Sequence, residues 1–479
     1  MQGKKERAER LFYQVSLDAF VPEDHLLRKL NRAISLEWVR EETKSRYSHT
    51  GRPSVDPVVL VKMLLIGYLY DIRSERRLVE EISLNLAYRW YCGFDLEDEV
   101  PNHSIFSKAR VRFGKELFVT VFEKVLGICI EVGLIGTADI FIDSTLIKAN
   151  AALNSLVETD LAPDAYWREL EKDETPSSQR GRKPVKEEAM QVGSHFTGIV
   201  DETKIGKRRR DKDASYLKKR STTDPDATLH FRPGIGPALS YKAHMAASTT
   251  GIITAVCVSA SAAHDTTALP ELTARHQKLL GAPASITCDS SYGTEEAFQL
   301  LQGQGIKTYI PPMGSRNQPT LFKKERFIYD AGNDCYMCPA GNPLRRRAKN
   351  NRTNQIHYKA RKEDCQSCSL KSQCIQQKTR ARTITRYDSD CVEKAHAWLA
   401  SDKGAMLFGM RKTVIEGLFG QAKSFHGLAR AKLRGIEKIE IQVLLTATAL
   451  NLKKLVKGSL GPMRFFHARF NIFYFATCG

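Results

Sequence analysis

Apolar positions recur every three or four residues through most of residues 1–135, as they do in helices that bury one face. "HLLRKLNRAI" and "DPVVLVKMLLIGYLY" show it most strongly, the second entered through the proline-bearing loop "GRPSVDP". Ser74 in "RSERRLVEEI" stands where a helix N-cap belongs, with Arg77 in the place a capping box gives to Glu. "PNHSIFSKARVRFG" (101–114) predicts a short polar turn and then a basic helix, with Lys108, Arg110 and Arg112 set among Ile105, Phe106 and Phe113. Two readings of that helix stand: the second helix of a helix-turn-helix facing DNA, or a solvated basic face.

Beyond residue 135 the period changes. "IFIDSTLIKAN" (140–150) is an apolar run that ends on Asp143, read as the tip of a buried strand. "LSYKAHMAAS", a turn at Thr249–Gly251 and "IITAVCVSA" predict a β-hairpin. A helix over "DTTALPELTARHQKLL" follows, then a second apolar run ending on an acid, "SITCDSSYG" with Asp289, then the helix "EEAFQLLQGQG" and the strand "KTYIPP". Two helices are expected in 406–457, "MLFGMRKTVIEGLFGQAKSFHG" and "KIEIQVLLTATALNLKKLVK". The order predicts an α/β chain: a mixed sheet with flanking helices over 136–457, after an all-α domain over 1–135. Two stretches interrupt it. Residues 158–225 are charged and poor in large aliphatics, which predicts a basic, mobile insertion. Residues 313–405 are polar, basic and rich in cysteine, and residues 458–479 form an aromatic tail.

Composition adds a partner. The chain has 479 residues, with 73 Lys and Arg against 54 Asp and Glu, a formal net charge of +19. That excess suits a polyanion, nucleic acid above all. The N-terminal stretch has no signal-like apolar segment and no run is long enough to span a bilayer, so a cytoplasmic protein without a membrane partner is expected.

The candidate chemistry starts from the acids. An Asp at the end of an apolar strand is costly unless something pairs with it. Strand ends in open α/β sheets are where sites form, although Asp is also a common turn or cap residue. Glu416 in "RKTVIEGLFGQAKSFHG" lies on a helix, with Lys423 two turns further on a shared face. Taken together, Asp143, Asp289 and Glu416 offer the oxygen ligands that two divalent ions need. Two such ions clamp the attacking and leaving oxygens of a phosphoryl transfer. His264 and Asp265, after the hairpin, are either supports for that site or turn residues.

The motifs "FIDSTLIKANA", "YKAHMAASTTGIITAVCVSASAAHD", "CDSSYGTEEAFQLL" and "VIEGLFGQAKSFHGLARAKLRG", with the helical N-terminal segments, resemble the DDE transposases of bacterial insertion sequences over nearly all of residues 15–455. The resemblance implies a ribonuclease-H-like sheet and an N-terminal DNA-binding region. It implies metal-dependent cleavage at the element ends and strand transfer into target DNA, with Mg²⁺ or Mn²⁺ held by Asp143, Asp289 and Glu416. Lys423 takes the family's Lys position. Its partners would be the terminal inverted repeats and the target, bound by a homo-oligomer in the bacterial cytoplasm and nucleoid. Lys108, Arg110, Arg112, Arg411, Lys412 and Lys423 are the expected DNA contacts. The family's signature has a Tyr and an Arg ahead of the Glu; those positions fall here on Gly409 and Lys412, with Arg411 one place off and able to stand in for the Arg. Two rivals stay open: a nuclease of the same fold without strand transfer, and an inactive copy that only binds DNA.

"CYMC" (Cys335, Cys338) and "CQSC" (Cys365, Cys368) are paired CxxC units of the kind that bind structural Zn²⁺. Cys374 is a fifth thiol and His357 a competing ligand. The other reading is reduced thiols in an inserted domain.

Overall fold

The structure is a computed structural model that describes residues 16–48, 50, 54–136, 138–158, 219–232, 236–312, 321–322, 324–350, 355–376, 379–387 and 389–458. Most of the expected insertion (159–218) and the tail from 459 lie outside the described residues. The chain divides into two compact units, Met1–Leu134 with Thr448–Gly479, and Ile135–Ala447.

The first unit is helical. Its central helix, Pro57–Leu69, has Pro at its first position, where the missing N–H costs nothing. Asp56 caps it, Oδ1 accepting from the Val58 N–H at 2.9 Å. Almost every residue of this helix is buried, so it is apolar all round rather than on one stripe. Ser74 caps Glu75–Leu84 by accepting from the Arg77 N–H.

The basic helix begins at Ser104 and breaks at Gly114, whose φ of +64° is a conformation that side chains avoid. Eleven residues separate it from the preceding helix, which ends at Cys92. A helix-turn-helix uses a turn of three or four, so this connection is not that motif. Arg110 is buried and ion-paired with Glu75. Of the three basic residues expected to face DNA, only Lys108 and Arg112 are exposed, and the Arg112 guanidinium lies over the Tyr47 ring.

The second unit is built on a mixed sheet. Its strands are β1 (Asp139–Lys148), β4 (Thr228–Arg232), β5 (Gly236–Ser248), β6 (Ile253–Ala260), β7 (Ser285–Thr287) and β8 (Lys307–Tyr309). A short ribbon, β2 (Leu156–Glu158) with β3 (Lys219–Ser221), stands apart from it. β5 lies antiparallel to β1 on one edge, and to β4 and then β6 on the other. β1 pairs parallel with β7, and β7 parallel with β8. Parallel neighbours need a crossover, and the helices Leu269–Leu280 and Glu295–Gly303 serve in the links to β7 and β8. Ile140, Ile142, Ile286, Leu272, Phe298 and Leu301 meet in the core. Val392 and Ala395 join them from the helix Asp390–Ala400. That helix lies within 313–405, the expected cysteine-rich interruption, yet it packs on the mixed sheet.

The rest of that stretch forms its own antiparallel sheet: β9 (Ile328–Asp330), β10 (Cys335–Met337), β11 (Pro343–Asn350), β12 (Gln355–Lys359) and β13 (Thr383–Tyr387), side by side in that order. Among the described residues no helix is long and apolar enough to cross a membrane.

Candidate active site

Asp143 is not at a strand tip. β1 runs on through Ser144 and Thr145 to Lys148, still paired with β5. What ends near Asp143 is the neighbour: β7 pairs with β1 only as far as Phe141 opposite Thr287. Asp143 and Asp289 each lie two residues beyond that last pair. Side chains two apart on a strand share a face, so the register sets the two acids beside each other where the parallel ladder gives out.

The two carboxylates are held differently. Asp289 caps a 3₁₀ turn: Oδ1 accepts from the Ser291 N–H at 2.9 Å and from its hydroxyl at 2.5 Å. The cap uses one of its two oxygens. Asp143 is mid-strand and caps nothing; its Oδ1 accepts from the neighbouring Ser144 N–H at 2.8 Å. Burial pushes its carboxyl up to about 6, the Ser144 N–H and Arg411 pull against that rise, and Asp289 and Glu416 add to it. Asp143 therefore feels the charge of the other two acids.

Glu416 closes a π-helical turn, Lys412–Glu416, between the helices Asp402–Arg411 and Gly417–Phe425. The turn packs against β1. Arg411, with only a tenth of its side chain exposed, joins two of the acids: Nη1 donates to Asp143 Oδ2 at 2.6 Å and Nη2 to Glu416 Oε1 at 3.1 Å. In an α-helix residues four apart are stacked neighbours. The wider π turn carries one extra residue, and so brings a pair five apart onto one face. Lys412 is exposed, and Lys423 is half-buried on Gly417–Phe425.

Residues the sequence left undecided support this corner. Asp265 accepts from the Ser144 hydroxyl at 2.9 Å and pairs with Lys242 at 3.1 Å, tying the loop after β6 to the residue beside Asp143. His264 caps the short turn that carries Asp265. Asp139, at the buried start of β1, accepts from Ser285 of β7 at 2.5 Å and pairs with Lys403 at 3.0 Å. It thereby fixes the helix bearing Arg411 to the parallel strands.

The cysteines gather elsewhere in the unit. Cys338, Cys365, Cys368 and Cys374 line one cavity of about 20 Å³. Cys335, expected in that set, is buried on β10 outside the lining, and His357 on β12 meets Thr385 at 3.1 Å. Among the described residues no group of three or more His, Cys, Asp or Glu stands in metal-holding geometry.

Two family models match the chain: a transposase domain (DUF772) over residues 15–112 and a transposase DDE domain over residues 337–456. The second takes in Arg411, Glu416, Lys423 and the four cavity cysteines; Asp143 and Asp289 lie outside both. No curated protein matches. Among solved structures, a piggyBac transposase synaptic complex with hairpin DNA overlaps at 10% identity, covering 91% of this chain and 78% of that one, with a TM-score of 0.29, too low to define a shared fold. A DDE domain implies a divalent-metal-dependent enzyme. The chain thus carries a transposase domain over residues 15–112 and a transposase DDE domain over residues 337–456, the two parts of an insertion-sequence DDE transposase, an enzyme that acts on DNA.

Proposed function

We propose that this transposase cuts DNA at the ends of its element and joins the freed 3′-hydroxyl to target DNA, with Asp143, Asp289 and Glu416 as the acids of the site. The observation that carries the reading is the register that sets Asp143 beside Asp289, with Glu416 reached from Asp143 through one Arg411 side chain. The strand order supports a ribonuclease-H-like sheet: three antiparallel strands, β6, β5 and β1, continued by two parallel ones, β7 and β8.

By donor chemistry these carboxylates suit divalent ions with oxygen ligands, Mg²⁺ or Mn²⁺; as they stand, Arg411 lies between Asp143 and Glu416 and the three are not in metal-holding geometry. Asp143 is a largely covered carboxyl that shares its one nearby opposite charge, Arg411, with Glu416, and a further cation would offset the mutual repulsion of the acids. Bound there, the ions would lower the pKa of a water and neutralise charge on the leaving oxygen. The chain's own part is to hold and orient. Asp289 is fixed by its cap, and Asp143 by the strand. Lys423 offers a point charge to a phosphate beside Glu416, and the exposed Lys412 and Lys108 offer others. The π turn supports Arg411 as the Arg of the family's signature, since it restores the pairing that one extra residue would otherwise rotate away. Zinc is given no part in this chemistry, because thiolates and carboxylates select different ions.

The test uses a labelled element end. Asp143→Asn, Asp289→Asn and Glu416→Gln are each expected to lower cleavage with Mg²⁺ by orders of magnitude. Double variants should be scarcely worse, because the acids act as a unit. DNA binding in chelator should stay intact. Near-normal cleavage by Asp143→Asn sinks the assignment. Pre-cut ends then separate a transposase from a nuclease: the proposal requires joining to target DNA.

A further inference from the structure

The β9–β13 sheet closes over little apolar matter. Leu344, Tyr358 and Tyr336 are at the centre of its cluster, and Cys338, Cys365 and Cys374 pack on that cluster's edge. A module so small generally needs a staple as well as a core. The two helical turns beside it, Lys362–Gln366 and Lys371–Cys374, are too short to stand unaided.

Their placement is what the thiols share. Cys365 comes from the first turn, Cys368 from the link between them, Cys374 from the end of the second, and Cys338 from the turn after β10. All four open on the same cavity of about 20 Å³, a volume that holds about one water-sized particle. Two backbone N–H groups already point at sulfur, Asn342 to Cys338 Sγ at 3.3 Å and Arg382 to Cys365 Sγ at 3.5 Å. Hydrogen bonds of that kind orient a ligand sulfur. Lys371 and Arg382 also line the cavity, so positive charge is at hand for a cluster that would carry net negative charge.

We propose that Cys338, Cys365, Cys368 and Cys374 bind one tetrahedral Zn²⁺, which clips the two helical turns to the small sheet, and that Cys335 is not a ligand. As described, the thiols share the cavity without standing in ligating geometry. Zn–S bonds of about 2.3 Å require them to turn inward, and all four lie in turns, a link or short helical pieces rather than in the sheet. The site is structural: four thiolates leave no position for a substrate. It is independent of the acids, so its failure and theirs are read separately.

The experiment is metal analysis of the full chain purified without chelator. The expected result is one zinc per chain, retained in Cys335→Ser and lost to background in Cys374→Ser and Cys365→Ser. Should the last two fail to fold, cobalt-loaded wild type and Cys335→Ser decide the matter. Both are expected to show the visible bands of tetrahedral Co²⁺ and thiolate-to-cobalt charge transfer of equal strength. Absence of zinc together with no uptake of Co²⁺ overturns the proposal. So does loss of zinc, or of a quarter of the charge-transfer band, in Cys335→Ser.

Discussion

Arg411 holds Asp143 and Glu416 together from a position where almost none of its own side chain meets solvent. A buried charge of that kind is tolerable only while its partners stay charged and close. Arg411→Met keeps much of the volume and leaves the two acids facing each other. Removal of one member of a buried ion pair typically costs about 3–5 kcal/mol, and a loss of that order is expected in metal-free protein. Mg²⁺ should then raise the melting temperature of Arg411→Met more than that of wild type, because the acids lack a cation. An equal rise in both would show that the ion does not bind where the guanidinium does. At this scale the sequence was partly legible. An Asp after an apolar run was visible, but its strand was read as ending there because Ser144 and Thr145 resemble a turn. They are strand residues because β5 continues to pair with them, and that pairing is tertiary. Arg110 was legible in principle: it is four residues after Phe106 and three before Phe113, both buried, which puts it on the apolar face of its helix.

The π turn Lys412–Glu416 is an element-scale solution to a register problem. One extra residue between Arg411 and Glu416 would rotate them apart in a continuous α-helix, and π turns commonly mark functional sites for this reason. Deletion of the exposed Thr413 should convert the turn to α-helix and keep the Arg–Glu pair four apart. Cleavage is therefore expected to survive, with unchanged or slightly higher thermal stability. A folded deletion variant without cleavage would contradict this account. Periodicity located both flanking helices, but it averages over a turn and cannot see one inserted residue.

The helix Leu269–Leu280 offers a pH test. Burial holds His276 down at about 4, where its Nδ1 meets the Thr254 hydroxyl at 2.9 Å. A depressed folded pKa means that its contribution is present above the unfolded value near 6.5 and is lost as pH falls toward 4. The difference is worth about 3 kcal/mol at most. Denaturant curves between pH 7 and pH 4 should show wild type losing more stability than His276→Gln; parallel losses would place the ring in a solvated setting. In this unit β1, β5 to β8 and the helices between them were legible from their periods, whereas β4, the β9–β13 sheet and the helix Asp390–Ala400 were not. That Cys374 rather than Cys335 lines the thiol cavity was not legible, since CxxC spacing says nothing of which way a strand residue points.

For the whole molecule, the decisive quantity is charge. A formal +19 over 479 residues makes binding to DNA an exchange of cations for basic side chains, and each phosphate neutralised adds about 0.9 to the slope of log affinity against log salt. The helical unit adds position to that charge. It carries Lys108 exposed on the helix after His103, and Arg112 one turn on, exposed and stacked on Tyr47. Arg110 between them is committed to Glu75. If this helix lies on the phosphate backbone, Lys108→Ala and Arg112→Ala in the full chain should each weaken binding of an element end and lower the salt slope by about one. Arg110→Ala should act otherwise, costing thermal stability through the unpaired Glu75 while leaving the slope of the remaining folded protein unchanged. Titrations of end DNA across a range of salt, with melting curves beside them, measure both quantities. Slopes unchanged by Lys108→Ala and Arg112→Ala would move the DNA contact off this helix, and a reduced slope for Arg110→Ala would mean that its pairing with Glu75 gives way when DNA binds.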